Sequence, residues 1–480
     1  MTPHAIVIGA GANGLVAAHT LARADRRVLV LEQRAELDGA LDSGWVPPEV
    51  VNDLGLDRHG LRVVGPEPWI SVALPGGGRL ELSQDVGRSA EAIRRVSPAD
   101  AAKWPAFCRR MHRLAGFLEA LYAVPAPDVE TRDLRDLARL AGLGLKARRL
   151  GKEAIVDLLR VLPMSVAELL DDWFDHDALK AALGAGGVLH LRQGPRSGGT
   201  AFVLLHHHVG SPPGVFRPPL SNIVGVLARL PGVEVRRGAR VARITVANGR
   251  ATGVVLASGE EIGAPVVASS ADPRATLLGL LEPGWLDPEF ARAVRGIKCR
   301  GVAARVVLTV ARDPGFTTLA VAPSLEYLER AYDDAKYGAM SRHPYLEAHA
   351  EDSRVVVHMQ YAPYALADGA WDDARRRALG DLVVESLAEH APALRQVVTG
   401  REVLTPQDLA ERGGLTEGNA YHGELTLDQV LFMRPVPGWS RYRTPIPGLY
   451  LCGAGSHPGG GIAGAAGRLA ARQILKEVAG

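Results

Sequence analysis

Three glycines near the N-terminus and one acidic residue after them have the types and spacing of a dinucleotide-binding site. Gly9, Gly11 and Gly14 follow a short apolar run and precede a helical pattern, and Glu32 ends a second apolar run. The glycines permit a tight turn, close approach of a pyrophosphate to the backbone and close packing of helix on strand. The pyrophosphate would lie at the helix N-terminus, and the acid would accept hydrogen bonds from a ribose hydroxyl. The pattern therefore predicts a bound dinucleotide, with a glycine-rich turn that only packs as the alternative.

The charge of residue 32 distinguishes between dinucleotides. An acid at this position would repel the 2′-phosphate of NADP, which is usually bound by a basic residue, so the sequence favours FAD or NAD. One complete motif is present in the 480 residues. A reductase that binds two dinucleotides is therefore not the expected class.

A second glycine-rich segment lies near the C-terminus. Gly459, Gly461 and Gly464 repeat the spacing after an apolar run, but only 16 residues follow Gly464, too few for another strand with an acidic end. The sequence predicts a loop over 453–461 and one helix from Ile462. The N-terminus of that helix would face the electron-rich flavin ring of a cofactor bound at the first motif. A glycine-rich packing turn is again the alternative.

Several polar residues are candidates for proton transfer, pocket shaping or metal binding. His457 in the late glycine loop and His422 before it are candidate acid–base residues, with a structural role as the alternative. Tyr421 and Arg434 could shape a pocket. The triplet His206 to His208 would present alternate rings on one face of a strand, as a metal site needs. No cysteine or carboxylate stands at familiar ligand spacing nearby, so no metal site is predicted.

The elements that position these residues follow from hydrophobic periodicity and turn signals. Buried strands are predicted at 5–8 and 28–31, with a helix from Leu15 to Ala24 between them. Short apolar runs separated by turn signals such as Asn248-Gly249 predict a β-meander and then a parallel strand at 266–269. The strands predicted for the meander are 233–236, 241–246, 251–256 and 260–262.

The intervening region is predicted to contain a hairpin and helices. Apolar runs around Pro75 to Gly78 indicate a hairpin at 69–82. Ser97-Pro98 is typical of a helix start, and Ser165 with Glu168 forms a capping-box pattern. Residues 137–161 have apolar positions at helical spacing and carry several basic residues, so this segment is either a solvated cap helix or a helix on a membrane surface. Lys146, Arg148, Arg149 and Lys152 lie on or near one face of it.

Composition excludes several classes of protein. The 55 basic and 53 acidic residues nearly balance, which argues against a nucleic-acid partner. Glycine accounts for 54 of 480 residues, about 11% against an average of about 7%, and part of this excess falls in the two loops. The three cysteines contain no Cys-x-x-Cys pair, as in a cytosolic protein with reduced thiols. No signal peptide and no run of roughly 18 apolar residues is evident. We expect a cytoplasmic protein, with peripheral membrane contact as the alternative.

Taken together, the motifs resemble those of FAD-dependent oxidoreductases of the phytoene desaturase and carotenoid isomerase type, within the amine oxidase superfamily. The nearest branch resembles the pyridine nucleotide-disulphide oxidoreductase domain-containing proteins, type two. The motifs that carry the resemblance are IVIGAGANGLVAA at 6–18, LEQR at 31–34, GPRSGGTAF at 194–202, GRATGVVLASGEEI at 249–262, YHGELTLDQVLFMRPVPGW at 421–439 and GLYLCGAGSHPGGGIAGAAGRLAA at 448–471.

The resemblance implies an α/β fold with an α+β insert. A Rossmann-like FAD/NAD(P)-binding domain with a β-meander would be assembled from residues 1–65, 215–277 and 425–480. A mixed α/β substrate domain would be inserted between them as residues 66–214 and 278–424. The inferred cofactor is FAD, and the residues implied to contact it are Gly9, Gly11, Ala12, Asn13, Gly14, Glu32, Gln33, Arg34, Gly39, Val241, Gly453, Gly455, Gly461 and Ile462.

The activity implied is hydride transfer from an apolar or amine-type small molecule to N5 of the flavin, followed by electron transfer to O2 or a quinone. Redox-neutral isomerisation of polyenes and non-catalytic binding of prenyl groups or lipids are the alternatives on the same fold. The chain differs from relatives in carrying Asp38-Gly39 where they have two glycines, and in shorter stretches at 40–50, 218–222 and 349–354. These differences concern the substrate range most directly.

Overall fold

The computed structural model describes residues 2–37, 42–126 and 151–478, together with 137–138, 141–142 and 144–145. The strands are β1 (Ala5–Ile8), β2 (Val28–Leu31), β3 (Asp42–Ser43), β4 (Val63–Val64), β5 (Ile70–Ala73), β6 (Arg79–Leu82), β7 (Leu220–Ser221), β8 (Glu234–Arg236), β9 (Val241–Ala247), β10 (Arg250–Leu256), β11 (Glu261–Gly263), β12 (Val267–Ser269), β13 (Ala303–Val310), β14 (Thr318–Val321), β15 (Tyr345–Glu351), β16 (Arg354–Gln360), β17 (Val398–Leu404) and β18 (Leu449–Leu451). The helices are α1 (Ala12–Ala22), α2 (Pro48–Leu54), α3 (Val86–Arg94), α4 (Pro98–Tyr122), α5 (Lys152–Val161), α6 (Val166–Asp171), α7 (Asp177–Gly184), α8 (Thr200–His208), α9 (Ile223–Leu227), α10 (Pro288–Arg295), α11 (Leu325–Lys336), α12 (Asp373–Ala388), α13 (Leu394–Val397), α14 (Pro406–Gly413) and α15 (Ala465–Val478).

A five-stranded parallel sheet carries the first glycine motif. Its order is β18-β12-β1-β2-β8, so strands from three distant stretches of the chain lie side by side. Alternate residues of β1 enter two different cores: Val7 packs with α1 and α15, whereas Ile6 and Ile8 pack with the meander. Burial on both faces explains why β1 and β2 are continuously apolar. The predicted Rossmann-like fold and its discontinuous assembly are confirmed.

The meander contains one strand fewer than predicted. Strands β9, β10 and β11 form a three-stranded antiparallel sheet, with β10 in the centre. Residues 234–236, which were expected in the meander, instead pair in parallel with β2 at the edge of the main sheet. The physical reason is the helix α9 just before them, since a helix followed by a strand forms a crossover back to a parallel sheet.

A seven-stranded sheet dominates the substrate domain, in the order β17-β13-β16-β15-β14-β5-β6. Its pairs are antiparallel except for β14 and β5, and the predicted hairpin supplies β5 and β6. Residues of β13 alternate between buried and partly exposed positions. The buried face packs against α12 and α13, and the other face borders a cleft towards the parallel sheet.

Two helices begin at the caps predicted from the sequence, but the strand predicted for the histidine triplet is wrong. The Ser97 side chain accepts from Asp100 N, and Ser165 and Glu168 form the reciprocal capping box. The His206 to His208 triplet lies in helix α8 and not on a strand. In the basic segment, α5 begins at Lys152 and contains Arg160, whereas Lys146, Arg148 and Arg149 lie outside the described part of the chain. None of the described helices is long and apolar enough to cross a membrane.

Candidate cofactor-binding site

The first glycine loop leaves space where a phosphate would bind. Gly9 has φ +92°, and a side chain at Gly14 would overlap the Gly9 carbonyl oxygen, so only glycine fits at both positions. Gly11, directly before helix α1, behaves differently. A Cβ built there would meet no heavy atom within 4 Å. The helix N-terminus therefore opens into free space, where its N–H groups would favour an anion.

The acid at the end of β2 is held in its charged form. Glu32 is 4% exposed, and its Oε2 accepts from Ala10 N at 2.8 Å while Oε1 accepts from Arg34 N at 2.9 Å and Arg34 Nε at 3.1 Å. Burial opposes ionisation, but these hydrogen bonds hold the pKa of Glu32 below its ordinary value. An ionised carboxylate fixed beside the glycine loop fits the ribose of an adenine dinucleotide.

The two glycine-rich segments meet, as the sequence predicted for one cofactor. Strands β1, β12 and β18 end at the same edge of the sheet, and a side chain at Gly453 would overlap the backbone of Ser270 that follows β12. Ser270 Oγ in turn donates to Ile8 O at 2.8 Å. Helix α15 packs directly on α1, where Gly467 N donates to Asn13 Oδ1 at 3.3 Å. The open space at Gly11 and the N–H groups at the start of α1 fit the adenosine diphosphate part of FAD.

The C-terminal glycine loop is held by three other parts of the chain. Trp45 N donates to Gly461 O at 2.9 Å, and Ala463 N donates to Trp45 O at 2.7 Å. His206 Nε2 in helix α8 donates to Gly460 O at 2.7 Å. A side chain at Gly460 would overlap the ring of Tyr421. The loop is therefore rigidly placed between the first chain segment, α8 and the late motif.

Gln33, Val241 and Gly455, which the resemblance implies to contact FAD, each pack against another part of the chain. Gln33 Nε2 donates to Arg412 O at 3.2 Å, so its side chain contacts the end of α14. Val241 is buried at the start of β9, and Ala239 N nearby donates to Glu32 O at 2.8 Å. Gly455 packs against the ring of Pro273. Asp38 and Gly39 lie outside the described residues.

The two candidate acid–base histidines do not lie on the cleft. His457 is fully buried, and its Nε2 lies 3.2 Å from Leu121 O and 3.1 Å from Val124 O, at the end of α4. Burial lowers the pKa of His457 to about 4. Burial also lowers the pKa of His422, partly opposed by the charge of Asp272. These contacts favour the alternative interpretation of His457, a neutral ring that joins α4 to the glycine loop.

The buried Arg434 side chain stabilises the C-terminal glycine loop and does not border the cleft. It is 2% exposed, and its guanidinium donates to main-chain carbonyls only, including Ala454 O at 2.8 Å and Tyr421 O at 2.6 Å. Burial lowers the pKa of Arg434 to about 10. The side chain thus ties the late motif to the start of the C-terminal glycine loop. The sequence suggested that Arg434 could shape a pocket, with packing or ion pairing as the alternative, and the observed contacts favour the packing role.

A cleft of about 2120 Å³ separates the seven-stranded sheet from the cofactor-binding elements. Trp45, residues 218–220, His349 and residues 351–354 all border it, so all three stretches that are shorter than in relatives lie on its rim. Trp69 and Leu189 add apolar surface. A substrate that reached the glycine loops from solvent would pass through this cleft.

Polar side chains of the cleft were missed by the sequence analysis. Arg217 Nε donates to Glu347 Oε2 at 2.9 Å, and Tyr345 OH donates to the same carboxylate. His190 and His358 pack ring against ring, with centroids 4.9 Å apart, and burial lowers the pKa of both, so they are neutral at pH 7. The alternation of polar and apolar residues in β15 and β16 is the signal that could have revealed this face.

Comparisons with known proteins agree with this geometry. A model of the flavin-containing amine oxidoreductase family matches residues 48–475, and one of the NAD(P)-binding Rossmann-like domain matches residues 7–62. The pyridine nucleotide-disulfide oxidoreductase domain-containing protein 2 of Rattus norvegicus is 32% identical over 99% of this chain and 93% of its own length. That alignment spans 543 positions against 480 residues here, so at least 63 positions of the relative have no counterpart.

Further relatives include a desaturase and two amine oxidases of known structure. The hydroxyneurosporene desaturase of Cereibacter sphaeroides is 30% identical over 100% of this chain and 99% of its own length. Wild-type putrescine oxidase bound to putrescine has a TM-score of 0.59 at 16% identity, covering 100% of both chains. Cyclohexylamine oxidase from Brevibacterium oxydans has a TM-score of 0.55 at 13% identity, also covering 100% of both. These two structures show the fold. The chain therefore belongs to the flavin-containing amine oxidoreductase family and is an FAD-dependent oxidoreductase.

Proposed function

We propose that this oxidoreductase removes a hydride from a small organic molecule held in the cleft, and that its electrons pass on to O2 or a quinone. The observation that carries the proposal is the meeting of the two glycine segments beside an ionised Glu32, with open space at Gly11. Bound FAD would supply the hydride acceptor of the reaction. The neighbouring cleft provides the space for the molecule that is oxidised.

The residues of this chain contribute binding and orientation. Backbone N–H groups at Gly11 and the start of α1 would bind the pyrophosphate, and Glu32 would accept hydrogen bonds from the adenosine ribose. Arg434 and Trp45 fix the C-terminal glycine loop, whose helix α15 begins just beyond it. A loop held in this way needs little rearrangement during the reaction, which is the usual protein contribution in cofactor enzymes.

The cofactor site is tested by the substitution Gly11→Asp. A carboxylate in the open space at the helix N-terminus would occupy the phosphate position and repel its charge, so we expect flavin content to fall at least tenfold. Flavin per protein is measured from the visible spectrum after purification. Gly116→Asp is the matched control, because Gly116 is exposed in α4 and its Cβ position is equally open. Equal flavin content in both variants would refute the assignment.

The reaction itself is tested by anaerobic single turnover. Bleaching of the bound flavin on addition of a candidate substrate supports dehydrogenation. A requirement for pre-reduced flavin would instead support a redox-neutral isomerase, and protein purified without any flavin would support a non-catalytic lipid-binding protein. The same spectra taken after admission of O2 or a quinone identify the electron acceptor by the rate of flavin reoxidation.

A further inference from the structure

The cleft-facing side of the seven-stranded sheet carries one arginine in an unusual position. Strand register places Leu404, Arg305, His358 and Glu347 in one row across β17, β13, β16 and β15. Directly opposed residues in a sheet share a face, so this row borders the cleft together. Arg305 is half-buried there.

Arg305 has no partner in the described part of the chain. Its Nε is shielded from solvent and makes no hydrogen bond to any described residue. Two other arginines that border the cleft are paired, Arg217 with Glu347 at 2.9 Å and Arg412 with Glu402 at 2.6 Å, whereas Arg354 is exposed to water. A donor shielded from water and left unpaired costs free energy, so this position favours binding of an acceptor from outside the chain.

The neighbouring acids do not supply that acceptor. Glu347 lies two strands away, at roughly 10 Å by strand spacing, and its carboxylate already accepts from Arg217 and Tyr345. Glu402 lies diagonally opposite on β17 and pairs with Arg412. His358, the nearest polar neighbour, is neutral because burial lowers its pKa. None of these three groups makes a hydrogen bond or an ion pair with Arg305.

Several of the residues next to Arg305 on this face are apolar, although charged side chains such as Glu402 and Arg354 border the same cleft. On the same face, Ala303 and Val307 flank Arg305 along β13, Val356 follows on β16 and Leu404 stands opposite on β17. Trp69, directly before β5 of the same sheet, also borders the cleft. An unpaired arginine with an aliphatic strip beside it is suited to a molecule with one anionic head group and an apolar body.

We propose that the cleft binds an amphipathic monocarboxylate, with its carboxylate paired to Arg305 and its apolar body along the aliphatic surface of β13 and β16. The planar guanidinium matches a carboxylate through two parallel hydrogen bonds. An amine would meet the charge of Arg305, and a pure hydrocarbon would leave it unpaired. The proposal names the substrate class of the proposed oxidoreductase and rests on that function.

The test compares three ligands that differ only in the head group. Decanoate, methyl decanoate and decylamine are titrated into the purified full-length protein, and binding is followed by calorimetry and by tryptophan fluorescence, since Trp45 and Trp69 border the cleft. We expect decanoate to bind at least tenfold more tightly than the ester, and decylamine to bind more weakly than either. Arg305→Gln should remove the preference for the acid and leave ester binding within twofold.

Arg354→Gln is the matched control. Arg354 lies on β16 and borders the same cleft, but it is exposed and therefore hydrated, so its loss should change decanoate affinity less than twofold. Thermal unfolding and flavin content show whether Arg305→Gln remains folded, and Arg305→Lys provides a second variant that keeps the charge and loses the two-pronged geometry. Equal affinity of the normal protein for acid and ester would overturn the proposal, as would equal losses in the two glutamine variants.

The outcome is separable from that of the proposed function. Head-group preference is read from binding and does not require turnover. A flavin-loaded protein that ignores the head group would contradict the substrate class and leave the oxidoreductase intact. A protein that lacks flavin but binds decanoate through Arg305 would contradict the redox function and leave the ligand site intact.

Discussion

At the scale of single residues, Glu32 shows how a side chain can serve the fold and the cofactor together. Its two oxygens accept three hydrogen bonds that join the end of β2 to the first glycine loop and to Arg34. A carboxylate oxygen has two lone pairs, so Oε2, which accepts only from Ala10 N, can still accept from a ribose hydroxyl. Stability and cofactor affinity should therefore respond together when this residue changes.

Glu32→Gln tests this dual role. One acceptor oxygen is replaced by a donor that faces an N–H group, so we expect the apoprotein to lose about 1–3 kcal/mol of unfolding free energy. FAD affinity should also fall at least tenfold. Urea unfolding and flavin titration measure the two effects. Glu36→Gln, at an exposed position in the same segment, should change neither. Weaker FAD binding with unchanged stability would show that the hydrogen bonds contribute nothing to the fold.

At the scale of elements, the contact between α1 and α15 couples the two ends of the chain. A side chain at Gly467 would overlap the Asn13 carbonyl, so the two helices approach as closely as backbone atoms permit. Gly467→Val should force them apart. We expect a loss of about 1–3 kcal/mol or more in unfolding free energy, as in other overpacked interiors, and reduced flavin content because the loop before α1 moves with it.

Urea unfolding and visible spectra measure these two changes. Gly116→Val in α4 is the control, because its Cβ would meet no heavy atom within 4 Å and the residue is exposed. Any small loss in the control reports the lower helix propensity of a β-branched residue. If Gly467→Val lost no more than that, the close approach of the helices would not matter for stability.

The elements also show what sequence patterns can and cannot predict. Strands β1, β2 and β12 were predicted because they are short apolar runs bounded by turns, and the glycine loop followed from its spacing. Helix α8 was missed because all of its residues, Thr200–His208, are buried, and a helix buried on every side has no polar face to set a period. The charged cleft face was missed because it arises only when β13, β15 and β16 align in register.

At the scale of the whole molecule, buried histidines join the separate parts around the cofactor site. His206 donates to Gly460 O of the C-terminal glycine loop, and His457 lies in that loop. His208 packs on Phe216 with ring centroids 4.6 Å apart. Burial lowers the pKa of these three histidines to about 4 and that of His207 to about 3. In the unfolded chain each would titrate near 6.5.

The protein should therefore lose stability as the pH falls below about 6.5. In this range the histidines bind protons in the unfolded chain but not in the folded protein, so the free energy of unfolding declines as the pH falls. The decline ends only below the histidine pKa values of the folded protein, about 4 and about 3. Urea unfolding at pH 7.5 and at pH 5.0 measures the loss. Carboxylates with lowered pKa lose their contribution only below about 4.5, so this window isolates the histidines. Equal stability at both values would contradict their buried, neutral state.

The strand order of the parallel sheet has a consequence for protein synthesis. Strand β1 is synthesised more than two hundred residues before its neighbour β12, and β18 follows only after residue 448. One edge of β1 therefore stays unpaired while most of the chain is made, and an unpaired apolar strand edge invites aggregation. FAD cannot stabilise this unpaired edge, because its second glycine loop is translated after β12. We expect the nascent chain to depend on chaperones until β18 pairs with β12 and completes the sheet.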